Sequence, residues 1–456
     1  MVTTVDAAAP VDARVVEAPL TLEEPAPRVL GFTDQLGLWA NLGVSLLGPV
    51  GALGVLVPFG FSPLSLTAAG LAVVVGTVLG TLLVATATIP GAQTGAPSMV
   101  LLRGLFGARA SYVPTVMNCL QLVGWGVFEI VIIAKACQQL LPWHDARWVY
   151  VVVAGVLTTL MTLWPLSVVR VLRRYALAAV VLATVYLFAQ MLRNPLPSLS
   201  HGSWAGFWVA ADVVIAVSVS WVPLASDYSR HSRSPRIAFT SSFVGYSLTQ
   251  VAYYALGLLA LATVVHASDN QDVLQHDMFA AFIAVPIGWL AFAVLVLREL
   301  DQSFVDSYST VVSLQNVWPR FDRRIFGVAV GSVATVLALV LHISDYFSFL
   351  YLLGSVFVPM FAVFVVDYFL LRGHRDWDTT ESARPRWIML LPWVLGFAMY
   401  QLVYAPDVLG WATLWQHVRD ALHFTWQSWM SASVLSFAVA AVATVLVSLI
   451  TPRRLR

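Results

Sequence analysis

One apolar stretch carries an unusual load of ionisable side chains. Val296-Leu297-Arg298-Glu299-Leu300-Asp301-Gln302-Ser303-Phe304-Val305-Asp306-Ser307-Tyr308-Ser309-Thr310 places one cation and three carboxyls in a run that otherwise reads as a membrane-crossing helix. Ionisable groups at that depth cost about 2.5–3.5 kcal/mol each on insertion scales, so they face protein or a water-filled cavity and act there. Arg298 most simply neutralises one carboxylate, which leaves two without a partner on the same helix. Ion pairs that only lock helices together would need no such surplus, whereas a bound cation or a titrating proton would use it. Glu129 and Lys135 add a second oppositely charged pair in an earlier apolar run.

That earlier run has a polar face. Asn118, Gln121, Trp125 and Glu129 recur every three or four residues, so one side of a helix presents all four. An amide and an indole one turn apart can hydrogen-bond the edge of a flat heterocycle and stack on its face, the two contacts that hold a nucleobase. A polar seam between two packed helices would use the same residues, and Trp is common in this chain at 17 residues. The nine histidines sit in loops or at span ends and read as interfacial. Cys119 and Cys137 lie on one helix, roughly 27 Å apart at 1.5 Å per residue, well beyond the roughly 7 Å limit for a disulfide, so both are expected to be free thiols.

The elements that hold these residues follow from composition. Of 456 residues, 59% are hydrophobic and only 11% charged, with a mean hydropathy of +0.80; soluble domains carry about 25% charged residues. The chain is therefore an all-α polytopic membrane protein, because its apolar runs match the roughly 20 residues that cross a bilayer as a helix and not the short alternating strands of a barrel. A net charge of +1 gives no field for a polyanion, which argues against a nucleic-acid partner. Twelve spans are predicted, near 36–58, 64–88, 112–141, 147–166, 172–192, 206–228, 238–265, 286–316, 326–342, 346–371, 387–404 and 430–451. A short amphipathic helix over Asp269–Ala281 is expected to lie outside, before the eighth span. Residues 1–30, rich in Ala, Pro, Val and Glu with no continuous apolar core, read as a disordered tail without a cleavable signal.

Basic residues give the orientation, since loops that stay in the cytoplasm are enriched in Lys and Arg. Of the 25 in the chain, only Arg147, Arg193 and Arg419 fall on one side, Lys135 and Arg298 lie within spans, and all the rest share the other side with both termini. Both termini are therefore expected in the cytoplasm of a protein embedded in the cytoplasmic membrane.

Two spans are interrupted. Ser45-Leu-Leu-Gly48-Pro49-Val-Gly51-Ala-Leu-Gly54 in the first clusters residues that disfavour helix, Gly by about 1 and Pro by about 3 kcal/mol. Ser218-Val-Ser220-Trp221-Val-Pro223-Leu-Ala-Ser226-Asp227 does the same in the sixth. Non-helical backbone at membrane depth persists only where protein or a cavity satisfies it. Breaks five spans apart predict an inverted five-plus-five helix repeat with substrate held between the broken helices. Such repeats would lie near 36–192 and 206–371.

The order of these motifs resembles the nucleobase cation symporter family 1, in its purine and cytosine permease branch. The matching stretches are Trp39-Ala-Asn41-Leu-Gly43-Val-Ser45, Gly91-Ala-Gln-Thr-Gly95-Ala-Pro97 with Phe106-Gly107, Gln121-Leu-Val-Gly124-Trp125, Ser220-Trp221-Val-Pro223-Leu-Ala-Ser-Asp227-Tyr228-Ser-Arg230, and Asp367-Tyr368. The resemblance implies a LeuT-like bundle with a ten-helix core over 31–375, two peripheral helices with a terminal tail over 376–456, and the substrate at the midplane between spans one, three, six and eight. It implies that Trp125 stacks on the substrate, that Gln121 binds the ring edge, that Ser220 and Trp221 contact the base from the unwound sixth span, and that Asp306 stands where many relatives place a base-binding Asn. Coupling by sodium would use backbone carbonyls near Gly43 and Leu46 with a hydroxyl pair in span eight. This chain has Asp301 and Gln302 there, and only Ser303 keeps a hydroxyl, so Gly43, Leu46, Asp301 and Ser303 could hold sodium while Asp301 could equally carry a proton.

These readings converge on a monomeric secondary active transporter that imports a cytosine-like nucleobase with a proton or sodium and uses no cofactor beyond that ion. Hydroxymethylpyrimidine or an allantoin-like heterocycle is the alternative cargo. A membrane enzyme is a remote alternative, because H-E-x-x-H, G-x-S-x-G and Walker A patterns are all missing from the sequence. A channel would concentrate its filter in an assembled ring, whereas this chain carries a complete internal repeat.

Overall fold

The computed structural model describes residues 27–143, 145–163, 167–264, 270–317 and 323–450. Among them the protein is helical throughout, with only two isolated β-bridges, Leu30 with Ser232 and Leu64 with Ser203. Twelve helical units follow the expected order. Six helices, Leu66–Thr94, Tyr112–Leu140, Phe207–Ser229, Pro235–Thr263, Ile343–Leu370 and Ala432–Ile450, are each long and apolar enough to cross a bilayer. Phe32–Leu42 and Leu47–Leu56 form one further span bent by 62°. Four units, at Arg147–Leu163, Ser167–Met191, Arg323–Val340 and Trp387–Val403, and the charged helix Gly288–Val317 complete the set.

Three shorter helices lie between spans. Ser98–Phe106 and Trp411–Leu422 are too short to register as apolar runs, and neither was anticipated. Gln271–Ala284 is the amphipathic helix expected before the eighth span; Asn270 caps it by accepting from the Asp272 and Val273 amides. It does not lie free, since Leu274, Met278, Phe279 and Phe282 are buried and Asp272 pairs with Lys135 at 2.9 Å. Lys135, the cation of the charged pair in the third span, therefore has a carboxylate partner on this helix.

The first span breaks earlier than its composition indicates. Helix ends at Leu42 and resumes at Leu47, so the gap is Gly43–Leu46 and the cluster Gly48, Pro49, Gly51 and Gly54 lies inside the second half. Pro49 falls in the first turn, where its missing N–H removes no helical bond. The glycines serve packing instead. A Cβ on Gly48 would come within 2.8 Å of Tyr253 Cβ, and one on Gly51 within 2.6 Å of the Tyr254 hydroxyl. The sixth span breaks where expected, with helix to Val219, a single 3-10 turn at Val222–Leu224 and helix again over Ala225–Ser229. Gly76 and Gly91 of the second span allow this broken span to approach backbone to backbone, as a Cβ there would meet Ala211 O or Ser226 Cα at 2.7 Å.

Two polar clusters fasten the later helices. The buried Asp212 carboxylate of the sixth span accepts from Ser431 Oγ at 2.6 Å, Ala432 N at 2.8 Å and Ser433 N at 3.2 Å, capping the twelfth span. Asp367, ending the tenth span, accepts from Trp377 Nε1 at 2.8 Å and pairs with Arg386 at 3.5 Å. Cys119 and Cys137 are free, as their spacing requires.

Most of the tail assigned to 1–30 lies outside the described residues. Its last residues are bound: Leu30 N donates to His231 O at 2.9 Å, Arg233 Nε to Val29 O at 3.1 Å, and Arg28 Nη2 to Gln93 O at 2.8 Å. The expectation of disorder is therefore wrong for residues 28–30.

Candidate transport site

The break in the first span lies against the charged eighth span. Four N–H groups at a helix start and four carbonyls at a helix end have no partner within the helix, and here two adjacent residues of the eighth span serve one end each. Arg298 Nη2 donates to Asn41 O at 2.9 Å, at the carbonyl end of the first half-helix. Glu299 accepts from Leu46 N at 2.9 Å and from Ser45 Oγ at 2.7 Å, at the amide end of the second. Ser45 Oγ in turn accepts from Leu47 N at 3.0 Å. The cation thus meets the negative end of one helix dipole and the anion the positive end of the other. Both side chains are buried.

The remaining charges of the eighth span divide between two tasks. Arg298 also pairs with Asp301 at 3.3 Å and donates to Gln302 Oε1 at 3.0 Å. Asp306, two turns further on, points into a cavity between the spans and lies in hydrogen-bonding contact with the Glu129 carboxyl of the third span. The predicted surplus of carboxylate is real, but its distribution differs from expectation: Asp301 is the neutralised residue, Glu299 holds the break, and Asp306 faces Glu129.

Aromatic side chains dominate the cavity wall. Trp125, Trp221, Tyr246, Tyr253, Tyr254 and Tyr346 contribute rings, and Gly43, Ser45, Glu129, Gln250, Gln302 and Asp306 contribute the polar part. The cavity they enclose is about 40 Å³, well below the roughly 300–1,000 Å³ of open small-molecule sites, so in this conformation the walls are drawn together. Trp221 Nε1 donates to the Tyr246 hydroxyl at 3.0 Å, which fixes the indole in the unwound part of the sixth span. Trp125 is held edge-on by Tyr346 and Phe349, with ring centroids at 6.0 and 5.4 Å. A flat, partly polar ring would suit these walls once they part, stacking on an indole face while its edge meets carboxyl and amide groups.

Of the residues anticipated, Gly43, Trp125, Trp221, Gln302 and Asp306 meet at this cavity. Gln121 and Ser220 are bonded to one another instead: Gln121 Nε2 donates to Ser220 O at 2.8 Å and to Asn118 Oδ1 at 2.9 Å. Gln121 therefore braces the exposed carbonyl of the sixth-span break, and Glu129, one turn beyond Trp125, takes the place on the wall that Gln121 was expected to fill. Glu299 at the break and Glu129 on the cavity wall are residues that the sequence left out of the site, although both had been marked as intramembrane charges.

Of the groups expected to ligate sodium, the carboxylate is already paired. Asp301 is held by Arg298, and Leu46 O accepts from Val50 N at 3.3 Å. Ser303 Oγ is buried without a hydrogen-bond partner among the described residues. The cation that reaches the backbone of the break is the guanidinium of Arg298.

Residues 50–384 match the family model described as permease for cytosine/purines, uracil, thiamine, allantoin. The chain belongs to this family. Its relatives among the permeases include a protein named cytosine permease in Escherichia coli K12, 24% identical over 338 residues, covering 72% of this chain and 77% of that one. A purine-cytosine permease of Saccharomyces cerevisiae is 23% identical over 389 residues, covering 76% and 71%, and a vitamin B6 transporter of the same yeast is 25% identical over 369 residues, covering 75% and 61%. Among solved structures, the fold is similar to that of Mhp1, a nucleobase-cation-symport-1 family transporter closed around bromovinylhydantoin, with a TM-score of 0.70 at 17% identity, covering 95% of this chain and 97% of that one. The inward-facing conformation of Mhp1 gives 0.73 at 15% identity, covering 96% of each. This permease therefore has the inverted-repeat fold of that transporter, with the first and sixth helices broken. It is a multi-pass membrane transporter of a small molecule and not an enzyme.

Proposed function

We propose that this permease imports a nucleobase-like heterocycle across the cytoplasmic membrane by ion-coupled alternating access, as a monomer with both termini in the cytoplasm. The observation that carries this reading is the cavity between the broken spans. Two indoles, Trp125 and Trp221, flank a polar set of Glu129, Gln250, Gln302 and Asp306, the combination of ring faces and hydrogen-bonding edges that a planar heterocycle needs. Carboxyl and amide groups suit a ring that carries both donors and acceptors, such as an aminopyrimidine. Rocking of one repeat against the other about this site would open it to each side in turn. The excess of Arg on the side of the termini supports the orientation.

Uptake into proteoliposomes tests the reading. Labelled cytosine, adenine, hypoxanthine, allantoin, hydroxymethylpyrimidine and pyridoxine are offered separately, and at least one is expected to enter saturably and to be displaced competitively by its closest analogues. Failure of all six to enter, or a non-saturating current in their place, would reject it. Replacing Trp125 by Ala is expected to weaken binding of the accepted heterocycle by about 1–3 kcal/mol, the range for base stacking on an aromatic ring, in equilibrium binding to detergent-solubilised protein. Affinity equal to that of the parent would remove Trp125 from the site.

A further inference from the structure

The transport site brings together two carboxyl groups. Glu129 and Asp306 come from different spans, both are buried, and both line the cavity. Each lies within hydrogen-bonding contact of the other. Glu129 Oε2 is buried, and no donor reaches it among the described residues. An ionised carboxylate only accepts hydrogen bonds, so two carboxylates cannot bond to each other. One proton between them converts the contact from repulsion of like charges into a hydrogen bond.

The charged and titratable groups around the pair leave that role to it. On the eighth span, Glu299 has its oxygens on Leu46 N and Ser45 Oγ, and Arg298 is engaged by Asn41 O, Asp301 and Gln302. The seventh span lines the cavity with Tyr246, Tyr253 and Tyr254, whose first two hydroxyls are bonded to Trp221 Nε1 and Thr184, and the tenth lines it with Tyr346. Among the described residues, no Lys, Arg or His lines the cavity. The break in the first span, where a free cation would find backbone oxygen, already has a tethered one in Arg298.

From this geometry we propose that Glu129 and Asp306 hold one shared proton and that this proton, not sodium, is the coupling ion. The inference rests on the transport reading above and names its ion. The cycle balances as one proton and one heterocycle per turnover. The proton joins one carboxyl oxygen from the outer side, the loaded site turns inward, and proton and heterocycle leave together. The carboxyl pair is recharged only after it faces outward again.

Two measurements test it. The first needs no substrate. In infrared difference spectra of the purified protein across a pH titration, a carbonyl stretch from a protonated carboxylic acid is expected, and it should disappear in both Glu129→Gln and Asp306→Asn, because the new amide then donates to the surviving carboxylate. No such band in the parent protein, or a band unchanged in both variants, overturns the proposal. The second uses the unmodified protein in vesicles with the membrane potential clamped at zero and an equimolar mixture of the six labelled heterocycles outside. Accumulation is expected to rise about tenfold for each unit of inward pH gradient, since a factor of ten corresponds to 1.4 kcal/mol, and to be unchanged when choline replaces sodium. Accumulation that needs sodium and ignores the pH gradient overturns it. Entry of none of the six heterocycles, with the acid band present, rejects the transport reading and leaves the proton site standing.

Discussion

Replacing Glu299 by Ala is expected to destabilise the protein by about 3–5 kcal/mol, the range for removing one member of a buried charged set. The loss has identifiable parts. Leu46 N and Ser45 Oγ lose the acceptor they share at the start of the second half-helix, and Arg298 keeps Asp301 as its only carboxylate partner among the bonds described. Glu299→Gln keeps an oxygen for Leu46 N while removing the charge, so its stability should fall between those of the parent and the Ala variant. Thermal unfolding in detergent gives the ranking. An Ala variant as stable as the parent would mean that the break is held by something other than the eighth span.

Asp212→Ala is the second large effect. Three donors at the start of the twelfth span would be left in a buried setting, each worth about 1–3 kcal/mol when unmade. Only Ala432 N and Ser433 N are backbone, so the loss should be visible locally before it is global. Hydrogen exchange at residues 432 and 433 is expected to accelerate strongly in Asp212→Ala and partly in Asp212→Asn, whose remaining oxygen still accepts one bond. Unchanged protection at these two amides would show that the twelfth span is capped without the sixth. The same variant separates anchoring from transport chemistry, because Asp212 is not part of the cavity wall.

The span order was legible because each crossing is a single apolar run of the right length, and the sixth-span break because Ser220 and Pro223 interrupt it within four residues. The first-span break was misplaced by a few residues because glycine has two uses. Gly48, Gly51 and Gly54 weaken a helix in isolation, yet here they admit Tyr253, Tyr254 and Phe347, and nothing local in the sequence announces those rings. Gln121 and Glu129 share one helix face but lie two turns apart, about 12 Å along the axis at 1.5 Å per residue. Periodicity gives the face and not the depth, so it could not decide which of them meets the cavity. The role of Glu299 was harder still. Its partners are 253 and 254 residues away in the chain, and only the packing of two spans shows that a carboxylate sits where a helix begins. Trp411–Leu422 carries an apolar stripe of Trp411, Leu414, Trp415, Val418 and Leu422, but the stripe is no continuous run of span length, so it does not read as a crossing.

The segment just before the first span has a mechanical consequence. Val29 and Leu30 are bonded to the residues that follow the sixth span, Gln35 Nε2 donates to Tyr228 O at 3.1 Å, and Trp39 meets the Tyr228 ring edge-on at 6.0 Å. The half-helices 32–42 and 225–229, one from each broken span, therefore stand on a common foot. Neither can tilt alone without tearing these contacts, so the two would swing as one lever, and closure on that side of the membrane would be a single concerted stroke.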